Sequence, residues 1–160
     1  MVNAGYRSAR AAMAEKVSLE HGVAATADDI VMTTGAAGAL NVIFKTVLNP
    51  GDEVVAIRPY FAEYGAYVEN HQGVLVVADS GPDFSLDPAA VARVLTPRTA
   101  AVILNSPNNP SGRVYPAAAI QALAAALTDH AAKTGRAPYL VVRSEERRVG
   151  KEWRSRWAQY

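Results

Sequence analysis

A chain of 160 residues, half of them apolar, with a formal net charge of +1 and no cysteine, can bury one core of ordinary size; it excludes a disulfide framework and a thiolate metal site. Its longest strongly apolar stretch, AAAIQALAAAL at residues 117–127, is too short to span a bilayer, and no basic stretch followed by an apolar core marks the N-terminus. No membrane partner is therefore expected, and a cytoplasmic location is the reading.

In chain order, Tyr6, Ala9, Met13 and Val17 recur at helical spacing with Arg7, Arg10, Lys16 and Glu20 between them. This predicts an amphipathic helix over residues 5–21, stopped by Gly22. IVMTT at residues 30–34 reads as a short strand, and GAAGALNVIFKTVL opens a second helix at Gly35. NPGD at residues 49–52 is a turn with Pro-Gly at its centre, as a type II turn prefers. Asp52 and Glu53 read as turn chemistry and a solvated strand start rather than as a catalytic pair. EVVAI (53–57) reads as a buried strand, residues 60–70 as a helix and VLVVA (74–78) as another strand. Asp87-Pro88 predicts an N-cap with proline at the first helical position, opening a helix over residues 89–95. A strand at 100–104, the loop NSPNNPSG at 105–112, an Ala-rich helix from about 116 to 133 closed near Gly135, and a strand at 139–142 follow. Continuous apolar strands separated by helical crossovers predict an α/β fold with a mainly parallel sheet and helices on both faces.

The last residues break the pattern. Residues 1–142 carry ten Lys/Arg against twelve Asp/Glu, whereas residues 143–160, RSEERRVGKEWRSRWAQY, carry six against three. Periodicity stops there, and the stretch resembles the conceptual translation of a sequencing adapter. It is set aside from fold reasoning as a non-native or disordered basic tail, leaving residues 1–142 as the domain. The rival reading, a basic arm for nucleic acid with Trp153 and Trp157 for stacking, is disfavoured by the interspersed Glu145, Glu146 and Glu152; no nucleic-acid partner is expected.

Three segments carry chemistry. MTTGAAGAL (32–40) passes from strand to helix through small residues, presenting backbone N–H groups at the positive end of a helix dipole, where an anion such as phosphate can approach; tight packing explains the same residues. RPYFAEY (58–64) ends a strand with an aromatic pair, Tyr60 and Phe61, which either covers a ligand or anchors the following helix. NSPNNPSG ends another strand; its prolines stiffen a loop that either aims an amide at a polar atom or simply turns. In an open parallel sheet, ligands sit beyond the carboxyl ends of the strands. His21, His71 and His130 are isolated, so no metal site is assigned, and Arg98 and Arg113 read as solvated.

Taken in order, TTGAAGAL, LNPGDEVV, PYFAEY and ILNSPNNPSGRVY resemble the class I/II aminotransferases of the aspartate aminotransferase fold (fold type I), over residues 1 to about 142. The resemblance implies pyridoxal 5'-phosphate as cofactor, with its phosphate on the backbone at Gly35, Ala36 and Ala37, Phe61 stacked on its ring and Asn109 bonded to its phenolic oxygen. It implies an amino acid and a 2-oxo acid as substrates, and a homodimer, because relatives build each site from two subunits. In the family the bonds matching Arg58-Pro59 and Asn109-Pro110 are often cis, and the same is expected here. No catalytic residue is assigned. The acid that faces the pyridine nitrogen lies in an Asp-Glu-Pro-Tyr-like stretch that Glu145 and Glu146 do not match. Lys16, Lys45, Lys133 and Lys151 fall outside the position of the Schiff-base lysine. MVNAGY resembles an internal family stretch, so Met1 reads as an internal methionine and the chain as a fragment, inactive by itself. Two other classes remain open: a Rossmann-type dinucleotide-binding domain with Gly35 to Gly38 under a pyrophosphate, and a non-catalytic binding module. The first requires an acidic residue closing the second strand, which ends instead in Ile57-Arg58-Pro59.

Overall fold

The computed structural model describes residues 3–144, and the chain divides into two compact units, Met1–Ile43 and Phe44–Tyr160. In the first, α1 (Arg7–His21) ends where Gly22 turns left-handed at φ 66° and bonds its N–H to Ser18 O at 3.0 Å, the glycine stop expected. Its inward face differs from the expected one. Tyr6 is 82% exposed, whereas Arg10 is buried beside Ala14. The cause is a polar anchor: Arg10 Nη1 donates to the Ala27 carbonyl at 2.6 Å and lies 3.6 Å from the Asp28 carboxylate. Both acceptors sit on a 3-10 turn (Ala27–Asp29) that Thr26 and Asp29 close as a capping box.

Residues 30–34 form no strand. Ile30 is extended (φ −111°, ψ 129°), but the segment pairs with no strand among the described residues, and Met32 N–H bonds instead to Ala4 O at 3.0 Å. An apolar run needs a neighbour's ladder before it becomes a strand. Helix α2 (Gly35–Val47) follows directly.

In the second unit, β1 (Glu53–Ile57), β2 (Val74–Ala78), β3 (Thr99–Asn105) and β4 (Tyr139–Arg143) form a sheet ordered β2-β1-β3-β4, with every pair parallel. Crossovers run through α3 (Tyr64–Glu69), α4 (Pro88–Val94) and α5 (Ala117–Thr134). The central strands β1 and β3 are buried at every residue while β2 and β4 are partly exposed, as expected of continuous apolar runs at the centre of a parallel sheet. Val55, Ile57, Val102 and Leu104 share a core with Val91 of α4 and with Leu123 and Leu127 of α5. The alternate residues Val54, Ala56, Ala101 and Ile103 turn to the opposite face and are buried too. Asp87 caps α4 through bonds to the N–H groups of Ala89 and Ala90, with Pro88 in the first turn, as expected. Helix α3 is shorter than predicted because residues 60–63 form a turn in which Tyr64 N–H bonds to Phe61 O at 3.0 Å. Strand β4 runs to Arg143, the first residue of the segment set aside; residues 145–160, with Trp153, Trp157, Glu145 and Glu146, lie outside the described residues.

The amino ends of the strands hold the charges. Gly51 takes φ 82° and Asp52 N–H bonds to Asn49 O at 3.0 Å, the turn the sequence predicts. The solvated strand start, however, is corrected: Asp52 and Glu53 are 6% and 4% exposed. They are drawn inward by arginines. Arg136 grips Asp52 with two bonds of 2.7 Å, one to each oxygen. Arg98, whose side chain is 72% exposed as expected of a solvated cation, nonetheless bonds to Glu53 Oε1 at 3.1 and 2.8 Å, and Thr96 Oγ1 donates to Oε2 at 2.5 Å. Burial pushes the Glu53 carboxyl up, but the bonds from Thr96 and Arg98 outweigh it and hold it below its ordinary value. The bonds from Arg136 hold Asp52 at about 2, against an ordinary 3.8. A depressed carboxyl stabilises the fold above its unfolded pKa and loses that contribution as pH falls through the folded one. Denaturation between pH 6 and 2 should therefore show about 2 kcal/mol lost below pH 3.8, and Asp52→Asn should remove that loss.

Candidate functional site

Strand order fixes where a ligand can enter. The chain passes from β1 outward to β2, then back across to β3, so the direction of winding reverses between β1 and β3. Loops that leave adjacent parallel strands diverge at such a reversal, and a crevice opens at the carboxyl edge. Phe61 lies four residues beyond Ile57 of β1, and Asn109 four beyond Asn105 of β3. Both expected residues thus stand on loops that flank the crevice.

The β1 loop is ordered by aromatic packing. Tyr64 is buried; Phe61 meets it edge to face at 5.8 Å between centroids, and Tyr60 stacks on it at 6.4 Å. Tyr64 is therefore the anchor, and Phe61, half-buried, is the ring left for other contacts. Over its face lies the guanidinium of Arg143, 5.2 Å from the centroid, with Nη1 donating to Tyr64 Oη at 3.2 Å.

The β3 loop is ordered by amides. Asn105, buried at the strand end, has an orientation that satisfies both ends of its amide: it donates to Arg143 O at 3.0 Å and accepts from Asn109 N–H at 2.8 Å. Asn108 is buried as well. Its Nδ2 donates to Pro59 O at 2.9 Å and to Ser111 Oγ at 2.8 Å. The Asn109 side-chain amide, half-buried, makes no hydrogen bond among the described residues. The expected cis bonds at Arg58-Pro59 and Asn109-Pro110 are present, with a third at Ser106-Pro107. Arg113, expected to be solvated, pairs with Asp83 at 2.8 Å and is 44% exposed at its side chain. Sequence reasoning missed Asn105, Asn108 and Arg143. The doubled asparagine was the one legible signal, since two adjacent side chains in a tight loop rarely face the same way.

In the first unit, Gly35 opens α2 with φ +73° and with open space where a Cβ would stand. Its N–H bonds to Thr33 O at 3.0 Å, while those of Ala36 and Ala37 have no acceptor among the described residues. A Cβ at Gly38 would lie 2.9 Å from Thr34 Oγ1, so that hydroxyl would have to swing aside.

The second unit thus presents a doubly wound α/β sheet with amide and aromatic groups at its switch point. Residues 3–133 match the family model for aminotransferase class I and II, and the chain belongs to that family. It is 41% identical over 129 residues to the aspartate/prephenate aminotransferase of Thermus thermophilus, covering 79% of this chain and 34% of that protein. It is 40% identical over 124 residues to the arginine–pyruvate transaminase of Pseudomonas aeruginosa, covering 75% and 31%. The solved aspartate aminotransferase of T. thermophilus with maleate superposes with a TM-score of 0.81 at 39% identity, over 89% of this chain and 36% of that one. An aminotransferase from Eubacterium rectale does so with 0.84 at 34% identity, over 89% and 36%. The fold is that of a partial fold-type-I domain, and the chain spans about a third of the length of these relatives. Nothing in the comparisons supports the dinucleotide-binding alternative.

Class I and II aminotransferases use pyridoxal 5'-phosphate, and the chemistry of the residues in each unit, taken separately, suits that group. The amide of Asn109 is unspent, Ala36 and Ala37 offer N–H groups at a helix start, and Phe61 is a fixed aromatic ring. Arg143 lies over that ring and also donates to Tyr64 Oη, so a ligand stacking on Phe61 from that side has to displace its guanidinium. Gly35→Ala, which forces a Cβ into the left-handed region, should cost about 1 kcal/mol in a thermal melt while leaving the second unit's sheet intact.

Proposed function

We propose that the protein of which this chain is part moves an amino group between an α-amino acid and a 2-oxo acid, using pyridoxal 5'-phosphate. The observation that carries the reading is the pairing of an ordered Phe61 with an unspent Asn109 amide on loops flanking the switch point. In this reading Gly35, Ala36 and Ala37 hold the phosphate. The free N–H groups of Ala36 and Ala37 suit an anion, and Gly35 supplies the turn that aims them. Phe61 faces the ring, and Asn109 donates to the phenolic oxygen, stabilising its anionic form. When bound, the cofactor acts as an electron sink at the substrate α-carbon.

In this reading residues 1–142 are part of a large cofactor-binding domain, with Arg143 closing β4. None of the four lysines falls at a matching position, so the chain alone binds without turning over. No helix among the described residues is long and apolar enough to cross a membrane; the parent is read as a cytoplasmic homodimer without nucleic-acid or membrane partners.

Titration with pyridoxal phosphate and, separately, with NAD, followed by absorbance and thermal stability, tests the reading. Saturable stabilisation by pyridoxal phosphate is expected, and stabilisation by NAD alone overturns it. Asn109→Ala and Phe61→Ala should each weaken binding by about tenfold. Arg143→Ala, which uncovers the Phe61 ring, should strengthen it by about two- to fivefold.

A further inference from the structure

We propose that Asn108 is a positioning residue that couples the loop carrying Asn109 to the loop carrying Phe61 and so fixes the separation of those two groups across the β1/β3 crevice. Its functional meaning rests on the cofactor reading above; the coupling itself does not.

Parallel pairing brings the two loops to the same edge, but it does not hold them together beyond the last paired residues. At a switch point the loops lead away from each other, so a ligand gripped by both needs a tie between them. Among the described residues, the bond from Asn108 Nδ2 to Pro59 O, 2.9 Å, is the sole hydrogen bond between residues 58–63 and residues 105–116. The tie is well placed: Pro59 is two residues before Phe61, and Asn108 directly precedes Asn109.

It is also held rigid. Asn108 N–H donates to Arg113 O and Asn108 O accepts from Gly112 N–H, both at 2.7 Å, so the backbone is closed on itself. The second amide hydrogen goes to Ser111 Oγ at 2.8 Å, which fixes the side-chain torsion. With 5% exposure the group is shielded from water, and a Pro59 carbonyl deprived of it would have to find another donor. Asparagine suits the task because one short side chain offers two donors on one nitrogen. The two neighbouring asparagines thus divide the work: Asn108 turns inward as the tie, and Asn109 displays its amide.

The competing role is a merely local one, in which Asn108 closes its own turn through Ser111. Amide hydrogen exchange on the full 160-residue chain, without ligand, separates the two. Asn108→Asp keeps the shape and can accept from the Ser111 hydroxyl, yet has no donor for Pro59 O. Exchange at residues 60–64 should rise about tenfold, as loss of one net hydrogen bond implies, while the amides of β1 stay protected. Ser111→Ala, which cuts only the local arm, should leave residues 60–64 unchanged. Unchanged exchange there in a folded Asn108→Asp chain overturns the proposal.

If Asn108→Asp does not fold, the unsubstituted protein still decides. The side-chain amide protons of Asn108 should exchange much more slowly than those of Asn109, and equal rates overturn the proposal. In a pyridoxal phosphate titration, Asn108→Ala should weaken binding on the order of tenfold and shift the absorbance band of the bound cofactor. Equal affinity and an equal band in the two proteins overturn the proposal. Coupled exchange in a chain that binds no pyridoxal phosphate overturns the cofactor reading and leaves the tie standing.

Discussion

The pairing of β1 with β3 is the constraint from which the rest of this structure follows. Both strands are buried along their whole length, so every backbone N–H and C=O in them has to be met by a neighbouring strand. Parallel pairing meets that demand only if each connection returns over the sheet, and the crossovers α3, α4 and α5 provide the returns. Because β2 lies on one side of β1 and β3 on the other, the winding reverses there. The place where a ligand can enter is thus set by the hydrogen bonding of two apolar strands before any polar side chain acts.

The two ends of the sheet use polar groups in opposite ways. At the amino end, carboxylates are buried and fully spent: Asp52 on Arg136, Glu53 on Arg98 and Thr96. Breaking such a pair leaves an uncompensated buried charge, so these groups serve the fold. At the carboxyl end the polar groups are neutral amides, two of them spent on neighbours and one, Asn109, not. A neutral amide costs less to hold partly desolvated than a carboxylate does, which suits an end that must stay open to a guest.

The α/β class, the order of the second unit's elements and the turn at residues 49–52 were all legible in the sequence, because each rests on local signals: continuous apolar runs, a capping Asp-Pro step, a Pro-Gly turn. What escaped notice depends on contacts distant in sequence. The pairing of Asp52 with Arg136 spans 84 positions, and Arg10 looks like a polar-face residue until residues 27–28 fold back over it. Residues 30–34 failed in the other direction. Their apolar composition promised a strand, but composition cannot supply the partner. At the candidate site, Phe61 and Asn109 were picked out by resemblance to a family, whereas Asn108 has a role that only the direction of its side chain reveals.

The long reach of the Asp52–Arg136 contact, 84 positions along the chain, bears on the moment of synthesis. A ribosome delivers the two acidic residues first, Arg98 some forty-five positions later and Arg136 last. Until Arg98 emerges, the two adjacent carboxylates have neither of the guanidiniums that they meet in the folded chain. The buried start of β1 is thus completed only by a residue that follows α5 in the chain.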